Sequence, residues 1–157
     1  MSSGGAKRGA ARVLLVASAG GHLAQLLELR PWWSRYERVW VTFDKADARS
    51  RLAGEQIVYA HHPTTRNIPI ALRNLVLAVR TLRRLRPDLV VSTGAGVAYP
   101  MFLVARVMRI PLLYLEVYDR TDTLTGRLCH PLVSAFAAQW PEQVERYPGA
   151  ELVGPVL

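Results

Sequence analysis

A histidine directly behind two glycines is the feature of this sequence best suited to chemistry. Gly20, Gly21 and His22 follow a short aliphatic run at positions 13–16, and a leucine-rich helical pattern comes after them. Glycines at such a strand-to-helix turn let the backbone approach an anion, and the free amides of the helix start point at it. His22 adds an imidazole, a group able to donate or accept a proton, at the mouth of that turn. The pattern is typical of a phosphate-accepting turn, although a histidine at a helix start is also typical of a cap or a surface residue.

A second glycine-rich turn follows another apolar strand. The run Leu-Val-Val at positions 89–91 leads into Ser-Thr-Gly-Ala-Gly, which places Thr93, Gly94 and Gly96 at the turn. Ligands of parallel α/β sheets bind beyond the carboxyl ends of the strands, so this turn and the one at Gly20 should lie at the same sheet edge. The alternative is that the glycines merely permit a tight turn.

A charged residue ends a third apolar strand. The stretch at positions 111–117 carries Glu116, and Arg120 follows it. A carboxylate at the tip of an apolar strand is a candidate site residue, with an ordinary loop ion pair as the alternative. Arg120 is a candidate partner for a phosphate group.

Alternating strand and helix patterns predict the fold class. Predicted strands lie at residues 12–18, 38–43, 56–60, 88–92, 111–117, 137–140 and 151–153. Predicted helices lie at residues 22–33, 45–53, 69–85, 98–108, 123–135 and 142–146, the fifth of them broken or bent near Pro131. Strands without clean alternation, separated by helices, indicate an α/β fold: a Rossmann-like, mostly parallel sheet with helices on both faces. Residues 1–11 are predicted to form a flexible tail and residues 12–157 a single Rossmann-like domain.

The predicted helix at residues 69–85 allows two interpretations. Apolar residues recur at helical spacing at Leu72, Leu75, Val76, Val79 and Leu82, while arginines lie on another face at Arg73, Arg80 and Arg84. The first interpretation is a core helix with a solvated face. The second is a basic amphipathic element that touches an anionic membrane.

Composition limits the partners. The formal net charge of +8 favours an anionic partner, such as nucleic acid, lipid headgroups or a phosphorylated substrate, although an arginine-rich proteome explains it equally well. No spacing typical of nucleic-acid-binding modules is present, so nucleic acid is not predicted as a partner.

The single cysteine, Cys129, excludes an intramolecular disulfide and suits a reducing compartment, and no metal-ligand spacing is seen. No apolar run approaches the roughly 20 residues of a membrane span, so any membrane contact is expected to be peripheral.

These motifs resemble a known family. Positions 18–22 are similar to the glycine-glycine-histidine loop of MurG-type glycosyltransferases, and more closely to the asparagine-linked glycosylation protein fourteen family and its bacterial PssD-like relatives. The similarity continues through positions 92–96, 111–116, 124–128, 139–142 and 153–156. The sequence departs from the family at Ser92, where an acidic residue is common, at positions 119–122, and in showing no counterpart of the membrane anchor of eukaryotic members.

The resemblance implies half of an enzyme. The chain is expected to match the N-terminal half of a GT-B glycosyltransferase, held against a separate catalytic subunit that binds a UDP-sugar. The implied reaction is inverting transfer of N-acetylglucosamine or another hexose to a polyprenyl-diphosphate-linked glycan at the cytoplasmic face of a membrane, without a cofactor. His22 is the candidate base, and Glu116 is a second base or orients His22. The candidate substrate-binding residues are Ser18, Gly20, Gly21, Thr93, Gly94, Gly96 and Arg120.

Two other functions remain open at this stage. The chain could be a non-catalytic scaffold that recruits the catalytic subunit. It could also bind a nucleotide cofactor, because Asp44 ends the second strand at the distance where dinucleotide folds place a ribose-binding acid. The Gly-x-Gly-x-x-Gly pattern of such folds is absent, however. It requires another glycine two positions after Gly21, and this position is Leu23.

Overall fold

The computed structural model describes residues 10–118 and 123–156, and in it a parallel sheet of seven strands forms the centre of the molecule. The strands are β1 Arg12–Ala17, β2 Glu37–Phe43, β3 Ile57–Ala60, β4 Leu89–Gly94, β5 Leu112–Leu115, β6 Ala135–Ala138 and β7 Glu151–Leu152. The helices are α1 Gly21–Glu28, α2 Arg30–Trp33, α3 Ala46–Arg51, α4 Ile68–Leu85, α5 Ala98–Val107, α6 Leu124–Cys129 and α7 Pro141–Arg146, with a 3₁₀ turn at His130–Leu132. Arg120 and most of the predicted tail lie outside the described residues.

The strand order is β3-β2-β1-β4-β5-β6-β7, and every neighbouring pair is parallel. The predicted α/β, Rossmann-like fold is therefore confirmed. The order reverses between β1 and β4, which makes the gap between these two strands the point where ligands of such sheets bind.

Strand β1 explains why the sheet needs helices on both faces. Leu14 and Val16 pack into one apolar layer, whereas Val13 and Leu15 pack into the other, and all four are buried. A strand buried on both faces has no polar alternation, which is why its sequence is a continuous aliphatic run.

Two predicted helices are wrong in extent. The predicted helix at residues 123–135 ends at Cys129, and Ala135 already pairs with β5 as the first residue of β6. Pro131 lacks an amide hydrogen and cannot continue an α-helix, so the chain passes through a 3₁₀ turn instead. The predicted helix at residues 22–33 is divided at Leu29, because Pro31 lies in the first turn of the new short helix α2 and has no amide hydrogen with which to continue α1.

The structure bears on the two interpretations of α4. A simple core helix would bury Leu72 and Val76, yet they are 58% and 49% exposed. The buried side carries Asn74, whose side-chain carbonyl accepts from the His61 amide at 2.8 Å and whose amide donates to the His61 carbonyl at 2.9 Å. This pair of hydrogen bonds ties the helix to the segment after β3 and turns part of its apolar face outward. Among the described helices, none is both long and apolar enough to span a bilayer.

Candidate functional site

The carboxyl ends of β1 and β4 bring the two glycine turns into contact. The His22 imidazole Nδ1 lies 2.9 Å from the Thr93 carbonyl oxygen, and the Thr93 hydroxyl donates to the His22 carbonyl at 2.6 Å. The two residues are 71 positions apart in the sequence. The pairing joins the start of α1 to the end of β4 and places both turns at the switch point of the sheet, where ligands of such sheets bind.

The Thr93 contact decides which nitrogen of His22 carries the proton. A backbone carbonyl can only accept a hydrogen bond, so Nδ1 must be the donor. In the neutral ring the lone pair then lies on Nε2, for which the described residues supply no hydrogen-bond partner. A histidine in this tautomer can accept a proton at Nε2, and the carbonyl stabilises the imidazolium that results.

The Thr93 side chain is not exposed to solvent, as the side chain of a substrate-binding residue would be. It is buried, and its hydroxyl is engaged with the His22 backbone. Gly94 is required beside it, since its φ is +109° and a Cβ there would lie 2.5 Å from the Tyr114 hydroxyl and 3.4 Å from the His22 ring. Together these residues pack the imidazole in one position.

The first glycine turn has some of its amides already occupied. The Gly20 amide donates to the Asp47 carboxylate at 2.8 Å, and the Ser18 hydroxyl donates to the Ala19 carbonyl at 3.2 Å. The first intrahelical bond of α1 runs from Ala24 to Gly20. The amides of the first helical turn, beginning at Gly21, therefore remain the donors available to an anion at this helix start.

The second glycine turn leads into the start of α5. Ala95 has a φ of +70°, and the Ala98 amide closes the turn on the Ala95 carbonyl at 2.9 Å. A Cβ at Gly96 would overlap the Thr64 side chain, so only glycine fits there. This turn places a second helix start close to the imidazole of His22.

The hydrogen bonds that the structure shows for the Glu116 carboxylate go to residues other than His22. Glu116 is fully buried, and its carboxylate accepts hydrogen bonds from the Val117 amide at 3.0 Å, the Thr123 hydroxyl at 3.1 Å and the Tyr147 hydroxyl at 2.8 Å. Burial raises the pKa of this carboxyl above its usual range, although the hydrogen bonds oppose the shift. A Cβ on Gly126 would overlap the same carboxylate. Glu116 thus anchors the start of α6 against the sheet, a position unlike that of a base in contact with substrate.

An apolar groove opens beside the second glycine turn and was not foreseen from the sequence. It has a volume of about 330 Å³ between α4, α5 and α6. Its lining is mostly aliphatic and aromatic and includes Leu72, Leu75, Gly96, Tyr99, Leu103 and Leu128. The outer rim carries Leu124, which is 71% exposed. In the sequence, the signal for such a surface was the interpretation of residues 69–85 as an amphipathic element with an outward apolar face.

Other residues are less suited to ligand chemistry. Asp44, the candidate ribose-binding acid, is half exposed and forms an ion pair with Arg49 at 2.9 Å. Within residues 10–118 and 123–156, no three histidine, cysteine, aspartate or glutamate side chains converge to hold a metal ion.

The fold defines a structural class: it corresponds to the N-terminal, Rossmann-like half of a GT-B fold. The MurG structure of Acinetobacter baumannii superposes with a TM-score of 0.71 at 20% identity, over 84% of this chain and 42% of that one. The chain therefore spans less than half the length of this solved structure.

Sequence comparison narrows the class further. The chain is 24% identical over 180 residues to the UDP-N-acetylglucosamine transferase subunit ALG14 of Mus musculus, covering 93% of this chain and 83% of the relative. It is 34% identical over 84 residues to the UDP-N-acetylglucosamine--N-acetylmuramyl-(pentapeptide) pyrophosphoryl-undecaprenol N-acetylglucosamine transferase of Symbiobacterium thermophilum, covering 53% of this chain and 22% of the relative. No family model matches. Over most of its length the chain is similar to the ALG14 subunits, which confirms the resemblance to that family drawn from the sequence.

Proposed function

We propose that this chain is the acceptor-binding and membrane-recruiting subunit of a two-chain inverting glycosyltransferase. The enzyme would transfer N-acetylglucosamine or another hexose from a UDP-sugar to a polyprenyl-diphosphate-linked glycan. The observation that carries the proposal is the His22 imidazole, fixed by Thr93 with Nε2 as its basic nitrogen, beside two glycine turns that each start a helix. The names of the relatives, a transferase subunit and a pyrophosphoryl-undecaprenol transferase, support the reaction class.

The acceptor diphosphate is assigned to the two helix starts. An anion at this place would accept hydrogen bonds from the backbone amides at the starts of α1 and α5. The positive ends of two helix dipoles would also attract it. Asp47 already occupies the Gly20 amide, so the diphosphate would use the amides of the first helical turn and of positions 95–97. Ser18 and Arg120 remain predictions as further substrate contacts.

The proposed chemistry uses His22 as a general base. An acceptor hydroxyl attacks the anomeric carbon of the donor sugar and gives its proton to His22 Nε2. The new glycosidic bond forms as the bond from the anomeric carbon to UDP breaks, and UDP leaves with the bonding electrons. The Thr93 carbonyl holds the Nδ1 proton throughout, which favours the protonated ring that the step creates. A separate chain would supply the donor site across the open sheet edge.

The apolar groove suits the prenyl chain of the acceptor. It begins at Gly96, next to the proposed diphosphate site, and its lining of Leu75, Tyr99 and Leu103 offers hydrocarbon contact. Exposed Leu72 and Val76 continue this surface outward along α4. Peripheral contact with the cytoplasmic face of a membrane would bury these side chains and place the acceptor at the site.

Substitution of His22 tests the catalytic part of the proposal. Membranes from cells that produce only the His22→Gln chain should transfer labelled sugar from a UDP-sugar to lipid-linked acceptor about 10²–10⁴-fold more slowly, because general-base catalysis is lost. The partner should still co-purify. His62→Gln removes an exposed histidine outside both the His22 site and the outward face of α4, and should leave the rate within about twofold. Full activity of His22→Gln would contradict the assigned base and favour the non-catalytic scaffold.

A further inference from the structure

Two aromatic side chains lie together beyond the carboxyl ends of β5 and β6. The rings of Tyr118 and Trp140 are 5.1 Å apart at an interplanar angle of 66°. Tyr118 is 40% exposed, and Trp140 is partly exposed. The indole N–H of Trp140 donates to the Tyr118 carbonyl at 2.6 Å, which joins the two segments directly. The pair therefore presents aromatic surface at the edge of the sheet where ligands bind.

Buried glutamines hold the Tyr118 side of this pair. Gln25 and Gln139 are only 5% and 1% exposed. The Gln25 side-chain oxygen accepts from the Tyr118 amide at 3.0 Å and from the Gln139 side chain at 2.6 Å. The Gln139 side-chain amide also donates to the Glu116 carbonyl at 2.9 Å. The backbone after β5 is thus held by side chains from α1 and from the end of β6.

A third glutamine holds the Trp140 side. Gln143 is fully buried, and its side-chain oxygen accepts from the amides of Gln139 at 2.8 Å and Trp140 at 3.2 Å. Its side-chain amide donates to the Val117 carbonyl at 2.8 Å. Polar side chains are costly to bury unless their hydrogen bonds are made, so this network specifies one geometry for both aromatic residues before any ligand arrives.

The pair lies along the same edge as His22. Gln25, which binds the Tyr118 amide, is three residues after His22 on α1, and residues at this spacing share a helix face. Strands β5 and β6 are the first and second neighbours of β4, which carries Thr93. Neighbouring strands are about 4.8 Å apart, so the aromatic pair lies on the order of 10 Å from the base along the edge.

We infer that Tyr118 and Trp140 form a binding platform for a hexopyranose ring of the acceptor glycan, an inference that rests on the proposed function. One face of a pyranose presents C–H groups that carry partial positive charge. Aromatic faces carry the complementary negative charge and apolar area. A rigid platform loses little conformational entropy on binding. This matters for a sugar, because its apolar C–H face is small and offers only a weak contact.

Binding to the full chain tests this platform. The probes are citronellyl diphosphate and its N-acetylglucosaminyl and glucosyl diphosphate esters, with affinities measured by calorimetry. Wild type should bind at least one sugar ester about tenfold more tightly than the sugarless diphosphate. Tyr118→Ala should reduce this preference to about twofold or less, while Tyr118→Phe should keep it. Tyr59→Ala is the matched control, since Tyr59 is 39% exposed on β3 and should not affect the preference.

A measurement on the unaltered chain covers the case in which Tyr118→Ala fails to fold. The NMR signal of the Trp140 indole N–H should shift with the sugar esters and not with citronellyl diphosphate or UDP. Equal affinity of wild type for all the diphosphates would overturn the platform and leave the proposed function in place. Failure of every diphosphate to bind would overturn both. Loss of the catalytic partner from Tyr118→Ala, with the sugar preference retained, would identify the pair as a protein-docking surface and also overturn the platform.

Discussion

The chemistry proposed at His22 depends on a contact with backbone rather than with an acidic side chain. The Thr93 carbonyl accepts from Nδ1, and the Thr93 hydroxyl returns a hydrogen bond to the His22 carbonyl. This reciprocal pair fixes both the tautomer and the position of the ring. Gly94 supports it by leaving room for the Tyr114 hydroxyl and the imidazole. A base held in this way does not require the carboxylate that often orients a catalytic histidine.

The Glu116 carboxylate stabilises the packing of neighbouring elements. It joins the end of β5 to Thr123, the residue that caps α6, and to Tyr147 after α7. Because this carboxylate is fully buried among these contacts, the ionisation of Glu116 should affect the stability of the fold.

The pH dependence of stability should reveal this buried carboxyl. Since burial raises the pKa of Glu116 in the folded chain, its protonated form is favoured there. Its contribution to stability is fully present below the unfolded pKa and is lost as pH rises through the folded pKa. Urea denaturation between about pH 4 and pH 8 should therefore show wild type losing stability relative to Glu116→Gln as pH rises.

Glu55 provides a control, because its pKa is shifted in the opposite direction from that of Glu116. Desolvation raises the pKa of Glu55, but hydrogen bonds from Arg38 and Trp40 outweigh it and lower the pKa overall. Wild type should therefore gain stability relative to Glu55→Gln as pH rises from about 4. Parallel pH profiles for the two variants would contradict the different environments assigned to these carboxyls.

At the scale of elements, α4 combines two roles. Asn74, Ala78, Thr81 and Leu82 form its buried side, and Asn74 ties it to His61. Leu72 and Val76 face outward next to the apolar groove. The interpretation as a simple core helix is therefore incomplete, and the exposed face is available for membrane contact.

Replacing the exposed apolar residues of α4 should separate membrane binding from folding. The double variant Leu72→Ser and Val76→Ser should bind vesicles at least about tenfold more weakly, because each side chain would no longer enter the lipid. Its stability should change little, since both residues are already exposed in water. Sedimentation with vesicles and thermal denaturation measure the two properties.

Val153→Ser is the corresponding control. Val153 is 55% exposed, next to the last strand of the sheet and outside the residues that line the groove. Its substitution should leave vesicle binding unchanged. An equal loss in this control would show that general hydrophobicity, rather than the α4 surface, drives the association.

At the scale of the whole molecule, the net charge of the chain should strengthen the proposed binding of the exposed α4 surface to an anionic membrane. The chain carries a formal charge of +8, and Arg73 and Arg80 flank the exposed leucine and valine of α4. A positive protein is attracted to anionic lipid over about a Debye length, and salt weakens this attraction. Electrostatic attraction would orient α4 towards the membrane before its apolar residues are buried.

Salt and lipid charge should therefore modulate vesicle binding. Vesicles with about 30% anionic lipid should bind the chain more tightly than neutral vesicles, and raising salt from about 0.05 M to about 0.5 M should remove most of the difference. The double variant Arg73→Gln and Arg80→Gln should bind anionic vesicles more weakly than the pair Arg35→Gln and Arg51→Gln, which removes the same charge from exposed positions elsewhere. Equal losses would indicate an effect of net charge alone.

The sequence by itself determined the order and type of the strands. Each predicted strand lies within two residues of an observed one, and the glycine turns at Gly20 and Gly94 are found where strands lead into helices. These features are local: continuous aliphatic runs mark strands buried on both faces, and glycines mark backbone conformations that other residues rarely adopt. The family resemblance follows from the same local motifs and their order.

Only the tertiary structure decided which side chains meet. His22 and Thr93 are 71 residues apart, and Gln25 and Gln139 are 114 apart, so no local pattern could pair them. The burial of Glu116 and the outward face of α4 depend in the same way on contacts between distant segments. Sequence periodicity records where apolar residues recur along one element, whereas the face that becomes buried is chosen by the elements that pack against it.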